Sequence, residues 1–222
     1  MRNLTFTLLV SILLFGSCAT LRRPSCSGQR IAQLLEEFND FLDAEDWNNA
    51  RKKARRLLRL DRVNTVYHYY TLGVIAMQKQ ETNRAKRYFN RAIAHCRNSD
   101  IGYFGMGMLY INLGADIIEN ARNLERATGT YLPNEEWEVL MTKRLEYERK
   151  ALSYLERGLE MSQDLALYGR LLRDVYWALG SRDPLMRDKH DEMDQRVRAE
   201  IGTLIRPLNP FRNFKHPVIC EN

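Results

Sequence analysis

From residue 29 onward, hydrophobic side chains recur three and four positions apart, which is the spacing of amphipathic helices. A first stripe covers 29–44 and a second covers 46–61. Their apolar positions are Ile31, Leu34, Leu35, Phe38, Phe41 and Leu42 in the first stripe, and Trp47, Ala50, Ala54, Leu57 and Leu58 in the second. We predict that each stripe is one face of a helix and that the two helices form a pair.

Proline placement favours an all-α fold. The chain has six prolines, and none lies between Ser25 and Leu132. Proline disrupts helix interiors, whereas Ala, Leu, Arg and Glu, which are frequent in this stretch, form helices readily. With 45% hydrophobic and 28% charged residues, the composition also excludes a multi-span membrane protein and a disordered chain.

Seven positions follow a motif whose first part recurs 34 residues later. The motif residues are Tyr69, Leu72, Gly73, Ala76, Ala85, Phe89 and Ala92, and the second copy places Tyr103, Met106, Gly107 and Tyr110 in the first four positions. This pattern resembles the tetratricopeptide repeat (TPR), a unit of two antiparallel helices. Its small residues allow close helix approach, and its large apolar residues fill the space between helices. The resemblance covers 30–200 and is strongest over 66–113.

The third repeat unit carries an insertion. Its first helix is predicted over 100–113, but the motif of its second helix begins only at Ala151, after about 32 extra residues. Apolar residues keep helical spacing on both sides of a break at 129–134, so we predict a long helical hairpin at about 115–150. A fourth pair completes the array, with its second helix over 184–201.

The TPR resemblance implies an all-α fold, namely a superhelical array of antiparallel helix pairs with the long hairpin inserted. It also implies a groove, lined by the first helix of each pair, that binds proteins or peptides. The groove positions are Tyr67, Tyr70, Val74, Met77, Ile101, Phe104, Met108 and Ile111. This aromatic and Met-rich set favours an apolar helix or extended segment as the occupant. The occupant is either an external partner or the hairpin or tail of the chain itself.

The N-terminal segment has the organisation of an export signal. Arg2 precedes an apolar run over 4–15 that is short for a transmembrane helix and suits a signal peptide. The sequence before Cys18 resembles a bacterial lipobox, with Phe15 standing where Leu is usual. The resemblance implies cleavage before Cys18 and acylation of that cysteine, as in a TPR lipoprotein of the bacterial envelope. An ordinary secretory signal or an uncleaved anchor is the alternative.

These features divide the chain into a signal peptide (1–17), a lipidated tether (18–28), a TPR-like helical domain (29–201) and an irregular C-terminal tail (202–222). Ala19 follows the lipobox cysteine, whereas Asp at that position is associated with inner-membrane retention. We therefore expect a lipid anchor in the outer membrane with the protein facing the periplasm. Inner-membrane anchoring and plain secretion are the less favoured alternatives.

The chain has a formal net charge of +6, and one short segment carries a net charge of the same size. Seven basic residues and one acid lie within 51–62, and the remainder of the chain sums to zero. On a helix, four of the basic side chains share the face opposite the apolar stripe: Lys52, Arg55, Arg56 and Arg59. We predict that this basic helix faces anionic membrane lipids. A solvated outer face is the alternative, and export argues against nucleic acid as a partner.

Acylation of Cys18 would leave three cysteines in an oxidising compartment. Cys26 and Cys220 lie near the two ends of the chain, where a disulfide would close it. Cys96 is predicted to lie within a helix as a small buried residue. The pairing among the three stays open, and the absence of a C-x-x-C motif gives no support to a zinc or redox site.

The sequence contains no catalytic motif that we recognise. No histidine lies in H-E-x-x-H and no serine lies in G-x-S-x-G. Gly105 and Gly107 lack the third glycine and the preceding strand of a nucleotide-binding loop. His190 beside Asp191 is a weak metal candidate, because charged runs on terminal helices are usually solvated. We therefore predict no enzymatic activity, no cofactor and no metal.

The predicted function is a non-enzymatic, lipid-anchored protein-binding scaffold of the bacterial cell envelope, which helps to assemble or stabilise a membrane-associated complex. Its partner would be an envelope protein or peptide segment, and its lipid anchor would hold it at the membrane. The alternative is an envelope or transporter accessory protein that binds a hydrophobic small ligand in its groove.

Overall fold

The computed structural model describes residues 26–162 and 164–201, and within these ranges the chain forms eight helices and no strand. The helices are α1 (Cys26–Asp43), α2 (Trp47–Leu60), α3 (Thr65–Gln78), α4 (Thr82–His95), α5 (Ile101–Thr128), α6 (Asn134–Ser162), α7 (Leu165–Gly180) and α8 (Pro184–Ile201). They pack as consecutive antiparallel pairs, so the predicted all-α, TPR-like array with its long hairpin is confirmed. The predicted signal peptide, Cys18 and the C-terminal tail lie outside the described residues.

The first helix begins earlier than the sequence pattern predicts. The tether was expected to reach residue 28, whereas α1 begins at Cys26. The first large apolar residue of α1 is Ile31, so the residues before it do not contribute to the hydrophobic periodicity from which the helix is predicted. α2 begins where expected because the Asp46 carboxylate accepts a hydrogen bond from the Asn49 amide at 3.1 Å.

Two hydrophobic cores share α3. On one side, Leu72 and Ile75 pack with α1 and α2, and on the other, Tyr70 and Val74 belong to a core that reaches α8. Nine of the fourteen residues of α3 are buried. A helix that is enclosed on both sides carries few charged residues at any point of its circumference, and α3 contains no Asp, Glu, Lys or Arg.

The ring of Phe89 in α4 joins the second and third helix pairs. A methyl group on Gly73 of α3 would lie 2.4 Å from this ring, and one on Gly105 of α5 would lie 2.3 Å from it. The same relation recurs in the next unit, where a methyl group on Gly107 would lie 2.5 Å from Leu155. The glycines of the repeat are therefore positions of close helix approach, as the motif predicts.

The inserted hairpin is formed by the distal parts of α5 and α6, which have 28 and 29 residues in total, and their other ends are the two helices of the third repeat unit. α5 and α6 are each about 42 Å long at 1.5 Å per residue. Gly129 ends α5 in the left-handed conformation, with φ of 66°, which is a common helix ending. The Glu125 carboxylate then accepts hydrogen bonds from the Leu132 amide and the Trp137 indole, both at 3.0 Å. These contacts fix the turn at the tip of the hairpin.

Of the described helices, α5 is the one whose length and apolar composition would be sufficient to cross a membrane. Half of its most apolar stretch is buried inside the structure, and the core helix of a soluble protein has the same properties. Its buried positions include Phe104, Met106 and Leu109, which belong to the larger of the two cores.

Tyr168 ties the fourth helix pair to the third. Its hydroxyl donates to Asp100, lying 3.1 Å from the backbone oxygen and 3.2 Å from the carboxylate. A methyl group on Gly158 of α6 would lie 2.4 Å from the same ring. The last helix, α8, closes the core with Met193 and Val197, which are both buried.

Candidate functional site

The predicted groove residues divide into two groups by exposure. Tyr70, Val74, Ile101 and Phe104 are buried, with at most 4% of each side chain exposed, whereas Tyr67, Met77, Met108 and Ile111 are half-buried. Ring contacts explain the burial of the first group. The centroid of the Tyr70 ring lies 5.9 Å from Phe89 and 6.4 Å from Phe104. The Phe104 ring in turn meets Tyr168 edge-on at 5.5 Å.

These rings connect α3, α4, α5 and α7, so Tyr70 and Phe104 act as core residues. Burial accordingly raises the pKa of the Tyr70 hydroxyl. Substitution of either ring by alanine would therefore test the stability of the fold before it tested any partner. The prediction of a groove site stays open for the half-buried positions, Tyr67, Met77, Met108 and Ile111.

An apolar cleft that the sequence did not reveal lies along the hairpin. It has a volume of about 700 Å³ between the distal parts of α5 and α6. Its apolar lining is Ile117, Ala121, Leu124, Leu132, Val139 and Leu140, and the polar residues at the cleft are Asn120, Glu135 and Glu136. Leu124 is 52% exposed and Val139 is 68% exposed.

The sequence signal for this cleft was present but ambiguous. Leu124 and Leu140 continue the helical stripes that hold the hairpin together, and the same spacing suits side chains buried between two helices. Val139 is adjacent to Leu140 and so lies off that stripe. A single exposed hydrophobic residue is common on protein surfaces, so Val139 alone does not predict a cleft.

The basic helix predicted to face lipids is α2, and its four selected side chains, Lys52, Arg55, Arg56 and Arg59, are exposed. Two other cations of α2 are engaged with acids. Arg51 contacts both carboxylate oxygens of Glu81, at 3.1 and 2.7 Å, and Lys53 pairs with Glu37 of α1. Within the described ranges, none of the four selected side chains pairs with a carboxylate.

A buried acid–imidazole pair closes the turn between α2 and α3. Nε2 of His68 lies 3.0 Å from Oδ2 of Asp61, and both residues are buried. Asp61 also accepts hydrogen bonds from the backbone and side chain of Asn64. Burial lowers the pKa of His68, and the hydrogen bond and charge of Asp61 oppose that shift. The pair is enclosed in the turn and has a structural explanation.

Among the residues that the structure describes, no group of three His, Cys, Asp or Glu side chains has the arrangement of a metal site. Nδ1 of His190 lies 2.8 Å from the Asp191 carboxylate on the surface of α8. One imidazole and one carboxylate from adjacent residues do not form a ligand cage.

Cys96 differs from its prediction in two respects. It is the C-cap of α4 rather than a residue inside a helix, because the helix ends at His95. It is buried, as expected, but it is also disulfide-bonded.

The fold and its surfaces define a TPR-like helical-repeat protein. No protein-family profile matches the chain, and no curated protein sequence matches it. Among solved structures, the chain is similar to the MamA protein, with a TM-score of 0.48, 16% identity, and coverage of 80% of this chain and 79% of that one. It is also similar to a mutant of the Thermobaculum terrenum O-GlcNAc transferase, with a TM-score of 0.50, 16% identity and coverage of 79% of this chain. The match spans 28% of the transferase chain, and the likeness concerns the fold.

Proposed function

We propose that this chain is a non-enzymatic scaffold that binds an envelope protein or peptide segment and so helps to assemble a membrane-associated complex. The observation that carries this proposal is the apolar cleft on the projecting hairpin. Leu124 and Val139 expose more than half of their side chains there, outside the two cores that hold the array together. Contiguous exposed apolar surface of this kind is typical of protein-interaction sites.

Three features support a location in the bacterial envelope. The apolar run and lipobox-like sequence before Cys18 favour export and acylation. Cys96 forms a disulfide, which is expected in an exported protein. The exposed cations of α2 follow closely in sequence, so they lie within reach of anionic headgroups if Cys18 is anchored. We propose outer-membrane anchoring with the array facing the periplasm.

The binding role can be tested by site-specific photo-crosslinking in intact cells. A photoreactive amino acid replaces Val139 in the hairpin cleft, and the matched control replaces Leu185, a comparably exposed apolar residue of α8 (68% and 59% exposed). We expect a discrete protein adduct from position 139 and none from 185. Adding Leu124→Glu should abolish the adduct, because a charge in the cleft opposes burial of apolar surface.

Equal adducts from both positions, or an adduct that persists with Leu124→Glu, would remove the cleft as the binding site. The groove variant Met108→Glu then provides the comparison, since Met108 is half-buried on the other predicted surface. Loss of capture with Met108→Glu alone would return the site to the groove.

The lipid anchor has a separate test. Cys18→Ala should abolish incorporation of labelled palmitate and release the protein from the membrane fraction. The lipobox resemblance implies more than one acyl chain on Cys18, and stable anchoring requires this because a single chain gives only reversible membrane binding. Continued labelling of the Cys18→Ala variant would exclude acylation at this cysteine and leave the other export alternatives.

A second candidate function follows from the size of the hairpin cleft. Its volume of about 700 Å³ and its apolar lining suit a hydrophobic small molecule as well as a peptide side chain. Native mass spectrometry of the purified chain distinguishes the two functions. A bound lipid or metabolite that Leu124→Glu displaces would favour the ligand-binding function.

A further inference from the structure

A second basic segment adjoins the one in α2. Residues 51–98 contain thirteen Lys and Arg but only two acids, Asp61 and Glu81, which gives this region a net charge of +11. The rest of the chain is therefore net acidic. The net charge of residues 51–62 equals that of the whole chain only because acidic residues elsewhere cancel the positive charges of α4.

The two acids of this region do not neutralise its surface. Asp61 is buried against His68, and Glu81 is paired with Arg51 and Arg84. Ten of the thirteen cations are exposed: Lys52, Arg55, Arg56, Arg59, Arg62, Arg84, Lys86, Arg87, Arg91 and Arg97. The region therefore presents many exposed cations and no exposed, unpaired carboxylate.

The cations of α2 and α4 lie on the same side of the array. Both helices are antiparallel to α3, and the Arg55 guanidinium donates to the Tyr88 hydroxyl at 3.4 Å, which connects the two helices directly. Within α4, Arg87 and Arg91 lie one turn apart on the same face, and Lys86 is exposed beside Arg87. Together they extend the α2 stripe into a two-helix surface, which we call the basic face.

Exposed apolar side chains accompany the basic face at one edge. Leu60 is 41% exposed and Val63 is 76% exposed, and they alternate with Arg59 and Arg62 at the end of α2. Because α2 and α4 run parallel, Arg97 lies beyond the corresponding end of α4. Cations alone would suit any polyanion. Cations mixed with protruding aliphatic side chains suit the interface of a bilayer, where headgroups meet acyl chains.

We propose, on the basis of the envelope location proposed above, that the basic face docks on a bilayer containing anionic phospholipid, with Leu60 and Val63 at the headgroup–acyl boundary. The array then lies against the membrane through α2 and α4, while the hairpin projects elsewhere. Each cation near such a surface strengthens docking by about fivefold. Removing three of them should weaken docking by about a hundredfold.

The test uses the full chain reconstituted in vesicles, with a photoreactive amino acid in place of Val63. The matched control replaces Tyr131, which is 87% exposed at the tip of the hairpin. Both proteins carry the same N-terminal segment, so insertion of that segment affects them equally. We expect several times more lipid adduct from position 63 than from 131 in vesicles of phosphatidylcholine containing phosphatidylglycerol, and no such difference in phosphatidylcholine alone.

Charge variants identify the responsible surface. Lys86→Gln, Arg87→Gln and Arg91→Gln together should abolish the excess of adduct at position 63. The control removes the same charge from exposed positions of the hairpin, with Arg122→Gln, Lys143→Gln and Arg149→Gln, and should leave the excess unchanged. Thermal unfolding measured by circular dichroism verifies that both triple variants are folded.

Equal adducts at the two positions, an excess that persists in phosphatidylcholine alone, or an excess insensitive to the α4 variant would each overturn the docking proposal. So would retention of a duplex oligonucleotide by the basic face without lipid adducts at 63, which would make the partner a nucleic acid. Palmitate labelling at Cys18 tests the anchor independently. If Cys18 is labelled but position 63 gives no excess of lipid adduct, the docking proposal fails and the proposed envelope location stands. If position 63 gives the excess but Cys18 is not labelled, only the lipid anchor is refuted.

Discussion

Replacement of Gly105 by alanine would place a methyl group against the ring of Phe89. The new Cβ atom would lie 2.3 Å from Cδ1, 2.5 Å from Cε1 and 2.9 Å from Cγ of this ring. These distances are far below van der Waals contact, so the ring must move. It has little room toward α3, because the same Cδ1–Cε1 edge packs closely on Gly73, where a Cβ would lie 2.4 Å from Cε1.

The expected magnitude is the difference between two effects. Overpacking of a core typically costs about 1–3 kcal/mol, and the ring is held between two helices, so the upper part of that range applies. Alanine is intrinsically better than glycine in a helix by about 1 kcal/mol. We therefore expect Gly105→Ala to lower the free energy of unfolding by about 1–2 kcal/mol.

Gly114 of the same helix provides the control. A methyl group there would lie 3.5 Å from the Glu148 carboxylate and 3.6 Å from Arg144, which are ordinary contacts. Gly114→Ala therefore gains helix propensity without a clash, and we expect it to stabilise by up to about 1 kcal/mol. The same substitution should have opposite signs at two positions nine residues apart.

Urea unfolding followed by far-ultraviolet circular dichroism measures both effects, with midpoints compared at constant slope. A double-mutant cycle with Phe89→Leu sharpens the test. If the clash is with the ring, Gly105→Ala should cost less in the Phe89→Leu background, giving a coupling energy of about 1 kcal/mol. Stabilisation by Gly105→Ala, or an equal cost in both backgrounds, would refute the assignment of Phe89 as the residue that excludes a side chain here.

Three further predictions concern the core, the buried histidine and the disulfide. Phe104→Ala should lower the free energy of unfolding by about 3–5 kcal/mol in the same urea assay, because its ring is fully enclosed; a loss near zero would show that this ring is not core. Burial lowers the pKa of His68 from its ordinary 6.5, so below about that pH the unfolded chain binds more protons and stability falls with decreasing pH. His68→Gln should flatten that dependence in urea midpoints measured between neutral and mildly acidic pH, and an unchanged slope would assign it to other groups. Cys96→Ser should cost about 2–4 kcal/mol more under oxidising conditions than in reductant, where only the change at this buried position is left, and non-reducing peptide mapping of the unmodified protein should identify the partner cysteine.

The predictable parts of the fold are those whose packing contacts join residues close together in the sequence. The 34-residue period identifies α3, α4 and the start of α5 because Gly73 and Phe89 must meet within one repeat unit. The length of the hairpin was also predictable, since helical spacing continues on both sides of Gly129. The start of α1 was missed because its first turn contains no large apolar residue that would mark it.

Groove exposure was not predictable in the same way, because it depends on contacts between distant units. Tyr70 and Phe104 fit the groove-lining positions of the motif, yet both are buried, and Tyr168 covers the Phe104 ring from 64 residues further along the chain. The hairpin cleft was missed for the complementary reason. Its apolar residues have the same sequence spacing as residues buried between two helices, and only the separation of α5 and α6 in the structure shows that they line a cleft.

The charge of the chain shows how far a sequence sum can mislead about a surface. Arg51 and Arg55 are four residues apart on the same helix, yet Arg51 is held by Glu81, thirty residues away, and Arg55 is exposed. A sum over α2 counts them equally, and a sum over the chain lets acids on other helices cancel the cations of α4. A membrane or a partner experiences only the exposed, unpaired charges within a Debye length, about 10 Å in moderate salt. The surface whose charge such a partner experiences is therefore the two-helix basic face, and the positive charge of this face is larger than the net charge of the whole protein.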